Sequence, residues 1–341
     1  MATMKEVAAY AGVSTATVSY VLNGRRFVEP RTRERVQAAI EALQYDVNDT
    51  ARSLRRRTTS TLALIVPDLV NPFWPELAAV IQGQAPLSGF GVVLYSIDLP
   101  HNAGSELFHH YLRAIRGKRY DAVIYAEALR LGPLSVQELV DTGTPVVLIG
   151  GREFPGTDRV YIDDYAAASD VMRHLIGRGH RTIAHITGAP AMASTEQRLR
   201  AYRDSLAAAG LPADPDLEVQ GTFLHPGGYA AMQQLLARRP RPTAVFAAND
   251  LTALGAIAAC VDAGVAIPHE VAIAGFDDIV LAAYVRPALT TVTHAQQDLG
   301  REAIRLAIQA HRRRLGADGD GPPGGPETVI VPHQLRVRES A

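Results

Sequence analysis

The sequence predicts a small all-α helix-turn-helix domain at the N-terminus, followed by an α/β core of two parallel-sheet lobes. Three observations carry this. The first sixty residues hold three short segments with apolar stripes, separated by capping and turn signals. From Thr61 onward, apolar strand-like runs alternate with helical stretches of about 10–18 residues, as in parallel α/β sheets. At 341 residues the chain is too long for one ordinary core, so two or three compact units are expected.

Within the N-terminal unit, Thr3-Met4-Lys5-Glu6 fits a capping box that opens a short helix, with Val7, Ala8 and Ala11 on one face and Gly12 at its end. Ser14 then caps a second helix, Thr15 to Asn23, which Gly24 stops. Its inward stripe is Val18, Val21 and Leu22, and Thr15, Ala16, Ser19, Tyr20 and Asn23 face out. A third helix, about Pro30 to Gln44, buries Val36, Ala39, Ile40 and Leu43; Pro30 suits its first turn, whereas Glu29 is a poor cap. Helix spacing alone also fits a three-helix cap on an enzyme. The outward face is small and polar, however, and suits a DNA major groove better than a Lys/Glu-rich solvated face would. The expected DNA contacts are Ser14, Thr15, Ala16, Thr17, Tyr20 and Asn23.

Residues 48–57 read either as a charged linker or as a short helix that orders on DNA. In the second reading Ala51 and Leu54 form an apolar pair, Arg55 and its neighbours meet phosphates, and Leu54 wedges into the minor groove. Charge agrees with this polarity. Residues 1–60 carry ten Lys and Arg against six Asp and Glu, whereas the whole chain has a net charge of −1.

Composition narrows the setting. Hydrophobic residues make up 47% and charged residues 20%, which is a folded composition. Runs such as Ala272–Phe276 and Ala253–Val261 fall well short of the roughly 18 residues a membrane span needs. The opening MATMKEVAAYAGV lacks the pattern of a secretory signal. A single cysteine, Cys260, allows neither an internal disulfide nor a CxxC pair. A cytoplasmic protein is expected, without membrane, metal or cofactor.

Several runs together closely resemble the lactose-repressor (LacI/GalR) family of bacterial transcription regulators. They begin with Met4-Lys5-Glu6-Val7-Ala8, Ala11-Gly12-Val13-Ser14-Thr15-Ala16-Thr17-Val18-Ser19 and Val21-Leu22-Asn23-Gly24. They continue through Ala51-Arg52-Ser53-Leu54-Arg55, Asn71-Pro72-Phe73, Gly179-His180-Arg181, Ala248-Asn249-Asp250, Gly275-Phe276-Asp277-Asp278 and Pro287-Ala288-Leu289-Thr290-Thr291-Val292, and finish with Leu335-Arg336-Val337-Arg338-Glu339-Ser340. The resemblance implies that Thr15, Ala16 and Tyr20 set base preference, with Tyr20 a departure from the Arg frequent there. It implies a homodimer on double-stranded palindromic operator DNA, Leu54 at the operator centre, and a core shaped like periplasmic sugar-binding proteins.

Domains are expected at 1–47 (helix-turn-helix), 48–60 (hinge and linker) and 61–341. The last would hold lobes of about 61–161 and 162–290, with a closing segment, 291–341, crossing between them. Strands are expected at Leu62–Val66, Val92–Ile97, Ala122–Tyr125 and Val146–Ile149, then at Thr182–Ile186, Leu217–Thr222, Ala244–Ala247 and Val271–Gly275. Ligands of open α/β sheets sit beyond the carboxyl ends of strands. Those ends supply Phe73, Trp74 and Asp98 in the first lobe, and Arg198, Phe223, Asn249 and Asp277 in the second. Aromatic plates between Asp, Asn and Arg suit a neutral polyhydroxyl ring, so a carbohydrate effector is expected. In the family, positions matching Phe73, Arg198, Phe223, Asn249 and Asp277 line the effector cleft. Many members have an acid at the fourth strand end, where this chain has Gly150-Gly151-Arg152, which allows an anionic group near Arg152. Duller readings exist: Asp277 capping a helix, Phe223 in a core, Asn249-Asp250 as a strand-to-helix turn. No GxSxG, Walker A, HExxH or Rossmann fingerprint is present, and no catalytic residue is expected.

Overall fold

The computed structural model describes residues 2–23, 26–45, 58–97, 104–126, 133–190, 192–316 and 324–341. The chain divides into two compact units, Met1–Thr59 and Ser60–Ala341.

The first unit holds helices α1 (Met4–Ala11), α2 (Thr15–Asn23) and α3 (Pro30–Ala42). The capping box forms: the Thr3 N–H donates to Glu6 Oε2 at 2.6 Å, and the Glu6 N–H to Thr3 Oγ1 at 3.3 Å. Ser14 Oγ accepts the Thr17 N–H at 3.1 Å and starts α2. Val7, Val18, Val36 and Ala39 are fully enclosed and make the small core, with Ile40 and Leu43 only partly buried. The third helix stops at Ala42 rather than Gln44, because Gln44 turns left-handed at φ 46°. Glu29 makes no side-chain cap. Arg35 of α3 donates to the carbonyls of Ala11 and Gly12, so a cation closes the negative end of α1 and fixes the turn into α2.

The second unit contains two parallel sheets. One has β1 (Thr61–Val66), β2 (Gly91–Ser96), β3 (Ala122–Ala126), β4 (Val146–Ile149), β5 (Asp158–Tyr161) and β11 (Thr328–Ile330), in the order β11-β5-β4-β3-β1-β2. The other has β6 (Ile183–Thr187), β7 (Glu218–Gln220), β8 (Ala244–Ala247) and β9 (Ala272–Ala274), in the order β7-β6-β8-β9. A short antiparallel pair joins β10 (Thr291–Thr293) to β12 (Gln334–Arg336). The helices are α4 (Phe73–Gln84), α5 (Gly104–Arg116), α6 (Pro133–Val140), α7 (Asp164–Gly177), α8 (Ala193–Ala208), α9 (His225–Ala237), α10 (Asp250–Asp262) and α11 (Gln296–Leu315).

The central strands are mostly apolar because helices cover both sheet faces, with His185 and Thr187 of β6 as buried polar exceptions. Every residue of β3, β4, β6, β8 and β9 is buried. Fully burying one such Val, Leu or Ile contributes roughly 1.5–3 kcal/mol. The long helix α11 buries Leu299, Ala303, Ile304, Leu306 and Ala307 and packs on α4 and on β3, β4 and β5, so it belongs to the first lobe. None of the described helices is long and apolar enough to cross a membrane.

The departures from expectation have local causes. The strand expected at Leu217–Thr222 shrinks to Glu218–Gln220, because Asp214 caps a 3-10 turn that takes up Leu217. β5 is not marked by an apolar run, because its four residues, Asp158–Tyr161, alternate in burial and begin with Asp158 and Arg159. The closing segment 291–341, expected to cross between the lobes, contains the three-residue strands β10, β11 and β12.

Both sheets reverse their winding beside their first strand, β1 in one and β6 in the other, and a crevice opens at such a reversal. Helices α9 and α10 cross closely: a Cβ on Gly255 would fall 2.1 Å from the His225 carbonyl. That approach sets the start of α9, after Phe223, beside the start of α10, after Asn249.

Candidate functional site

On the first unit, Ser14, Thr15 and Ala16 are exposed at the start of α2, and Thr17 and Tyr20 are half-buried. The Ser14 and Thr17 hydroxyls are joined at 2.9 Å, so both serve the cap as well as the surface. The Arg26 guanidinium lies 5.3 Å from the centre of the Tyr20 ring, a cation–π distance that restrains the ring on the helix face. The side chain of Asn23, and all of Ala51, Leu54, Arg55 and Asp98, lie outside the described residues.

In the second unit, Phe73, Trp74, Arg198, Phe223, Asn249 and Asp277 line one open cleft, whose empty space with the solvent at its mouth included is about 680 Å3. Asp68, Asn71, Ser194 and His294 join them. After β1, Asp68 Oδ1 accepts the N–H groups of Val70 and Asn71 at 2.9 and 2.7 Å. Asn71 Oδ1 then accepts the Phe73 N–H at 3.2 Å. These side-chain turns start α4 and present Phe73 and Trp74 as an edge-on pair with ring centres 4.7 Å apart. Across the cleft, Phe223 sits at φ 64° with its ring over Gly188, where an added Cβ would meet it at 2.0 Å.

The polar centre is a buried node around Arg198. Its Nε and Nη2 lie 2.9 and 2.7 Å from Asp164 Oδ1, and its Nη1 donates to the Ala248 carbonyl at 2.5 Å. The guanidinium stacks 3.6 Å from the centre of Phe276. Asp277 Oδ1 is 4.0 Å from Arg198 Nη1 and 3.0 Å from His294 Nε2. The His294 ring packs against Phe73, with centres 4.7 Å apart, and so ties the first lobe's aromatic pair to the second lobe's node. Asp277 itself is left-handed at φ 121°, which costs of order 1–3 kcal/mol and is characteristic of ligand clamps.

Asn249 is largely committed. Its Oδ1 accepts from the Thr252 N–H and hydroxyl at 3.0 and 2.7 Å, and its Nδ2 donates to the Phe223 carbonyl at 3.0 Å. It caps α10 and holds Phe223 in place while lining the cleft. Arg152, allowed above as an anion contact, lies outside the lining. The left-handed Gly150 and Gly151 turn the chain away, and Arg152 pairs on the surface with Glu196. Asp164 and His294 went unnoticed in the sequence. His294 directly follows β10, so strand-end logic reaches it once that crossing is recognised as a strand.

Behind the node, the buried Asp250 carboxylate accepts from the Thr291 hydroxyl at 2.5 Å and the Ile279 N–H at 2.9 Å. Burial first, then the charge of Asp277, pushes the Asp250 carboxyl well above its usual 3.8. The folded chain therefore holds this proton to higher pH than the unfolded chain. The stabilisation is full below the unfolded value and is lost as pH rises through the folded one. Asp250→Asn keeps the shape and is expected to flatten the stability profile above about pH 4 and to raise Tm at neutral pH. Calorimetry across that range tests it; an unchanged slope would remove Asp250 as the cause.

The family model for bacterial regulatory proteins of the lacI family matches residues 3–48, and a periplasmic-binding-protein-like domain matches residues 172–341. Catabolite control protein A of Priestia megaterium is 34% identical over 340 residues, covering 99% of this chain and 98% of that protein. The chain belongs to the LacI family. It is a DNA-binding transcription regulator, and the residues matched by the lacI-family model take in α1, α2 and α3. Among solved structures, a complex of the transcriptional regulator CelR with cellobiose is 33% identical, with a TM-score of 0.74 and full coverage of both chains. The lac repressor dimer bound to operator and the anti-inducer ONPF shares the fold, at 24% identity and a TM-score of 0.84, covering 99% of this chain and 98% of that one.

Proposed function

We propose that this LacI-family regulator represses transcription in the cytoplasm by binding a palindromic operator as a homodimer. A saccharide held in the cleft changes its operator affinity and leaves chemically unaltered. The observation that carries this reading is the cleft: three aromatic rings, Phe73, Trp74 and Phe223, around the Arg198–Asp277–His294 node at the carboxyl ends of both sheets. Aromatic faces take the C–H side of a sugar ring, and fixed polar groups take its hydroxyls. His294 bridges the lobes at that point, so a ligand there bears on how they close. Exposed Leu69, Val70, Val280, Leu281 and Tyr284 give the second unit apolar surface of the kind a second copy would cover.

Thr15, Ala16 and Tyr20 are the proposed base-reading residues, with Ala51, Leu54 and Arg55 completing the DNA contact. The test is anisotropy with full palindromic and single half-site duplexes, with and without a saccharide panel. Two protomers are expected on the full site, and a bound sugar is expected to shift operator affinity. By linkage the shift is reciprocal, about 1.4 kcal/mol for each tenfold. Tyr20→Ala is expected to alter preference at one position per half-site, with roughly 1–3 kcal/mol at stake. Tight binding of a monomer to a half-site, or equal weakening by Tyr20→Ala on every sequence, would overturn the respective assignment.

A further inference from the structure

We infer that the cleft selects an uncharged saccharide and rejects the phosphorylated and acidic derivatives of the same sugar. This rests on the proposed reading of the cleft as a saccharide site. Among the described residues lining the cleft, Arg198 is the one Lys or Arg. A phosphate or carboxylate would need its guanidinium, and that guanidinium is already engaged. Nε and Nη2 lie 2.9 and 2.7 Å from Asp164 Oδ1, and Nη1 donates to the Ala248 carbonyl at 2.5 Å. Its remaining neighbours, His294 Nε2 at 3.4 Å from Nη2 and Asp277 Oδ1 at 4.0 Å from Nη1, complete a closed cluster.

The cleft lining itself holds two carboxylates, Asp68 and Asp277, against this one guanidinium, which is further paired with Asp164 outside the lining, while the lining His294 is paired with Asp277. With its cationic groups answered inside the protein, the cleft presents carboxylates to an incoming anion, which meets like charge at short range in a partly buried space, where screening is weak. The same carboxylates accept well from neutral hydroxyls. The neighbourhood registers this negative field. The carboxyls of Asp250 and Glu76 are both pushed upward, first by burial and next, for Asp250, by the charge of Asp277; for Glu76 the charges of Asp277 and Asp278 act in the same direction. Arg152, the nearby cation that could have answered an anionic ligand, is tied to Glu196 on the surface.

The experiment is isothermal titration of the full-length protein with glucose, galactose, ribose and cellobiose. Each sugar is compared with its phosphate ester, its sugar acid and a neutral methyl ether at the same hydroxyl. Every binder is expected to be uncharged, and its phosphate and acid are expected to bind at least about 100-fold more weakly than the methyl ether. That gap is expected to narrow as salt rises and in Asp277→Asn, since both relieve charge repulsion but not crowding. A charged derivative that binds as tightly as its methyl ether would overturn the inference and leave the saccharide reading standing. A gap that neither salt nor Asp277→Asn moves would overturn it in favour of steric exclusion. If no panel member of any charge binds while operator binding is intact, the saccharide reading falls and this inference with it.

Discussion

Operator binding is expected to fall by about 10³–10⁵-fold when salt rises from about 50 to about 200 mM, provided roughly six to ten phosphates are contacted. The argument begins with the charge distribution. Residues 1–60 hold ten Lys and Arg against six Asp and Glu, while the chain as a whole is at −1. A protein with that balance meets DNA with its basic end, and each phosphate it neutralises releases condensed counterions. The release is entropic and weakens as bulk salt rises, so affinity follows a steep power law. Not every cation in the segment counts equally, because Arg35 is spent on the carbonyls of Ala11 and Gly12. Replacing Arg35 is therefore expected to destabilise the helix-turn-helix with little change in the slope, whereas replacing a phosphate-contacting arginine lowers the slope by about one. Anisotropy titrations at four or five salt concentrations on one palindromic duplex measure it. A flat response would show that the basic end does not lie on the phosphate backbone.

Arg198→Ala is expected to cost about 3–5 kcal/mol of stability and to abolish the ligand response. The side chain is only 4% exposed. Its removal leaves the Asp164 and Asp277 carboxylates and the Ala248 carbonyl without the charge that answered them, and bares the face of Phe276. A lysine cannot repair this: its ammonium is a point charge and cannot hold a carboxylate and a carbonyl on a flat fork while stacking on a ring. Arg198→Lys is therefore expected to recover less than half of the loss. Asp277→Asn separates folding from response, since it keeps the shape and removes one charge. It is expected to cost about 1 kcal/mol of stability and at least tenfold in ligand affinity. Urea denaturation, followed by operator titration with ligand, reads both quantities on the same samples. An Arg198→Ala protein as stable as the parent and responding at the same ligand concentration would mean that the node is not the binding centre.

The helix-turn-helix was legible because its signals are local. Thr3 and Glu6 are three residues apart, Ser14 and Thr17 likewise, and the stripe of Val18, Val21 and Leu22 follows from helical spacing. The alternating strands were legible for a similar reason, since a parallel strand covered on both faces leaves an unbroken apolar run in the sequence. Even the gathering of Phe73, Arg198, Phe223 and Asp277 could be anticipated, because parallel sheets send all their carboxyl ends to one edge. Less was legible where a strand was short or a partner distant. β5, β10 and β11 are three or four residues long and carry polar residues (Asp158, Arg159, Thr291, Thr293 and Thr328), so no apolar run marks them as it marks the equally short β4 and β9. Leu54 and Asp98 remain sequence readings, outside the described residues.

The sequence by itself determined the order of units, the capped helices, the sheet type and the edge at which a ligand site forms, since each depends on residues within a turn or a strand of one another. Tertiary structure alone decided what each site residue is free to do. Arg198 meets Asp164 across 34 positions and His294 across 96. Asn249 spends its amide on Phe223 across 26, and Arg152 turns to Glu196 across 44. Whether a charged group faces ligand or protein depends on which partner the fold places within about 3 Å, and that distance is set by the packing of whole sheets and helices.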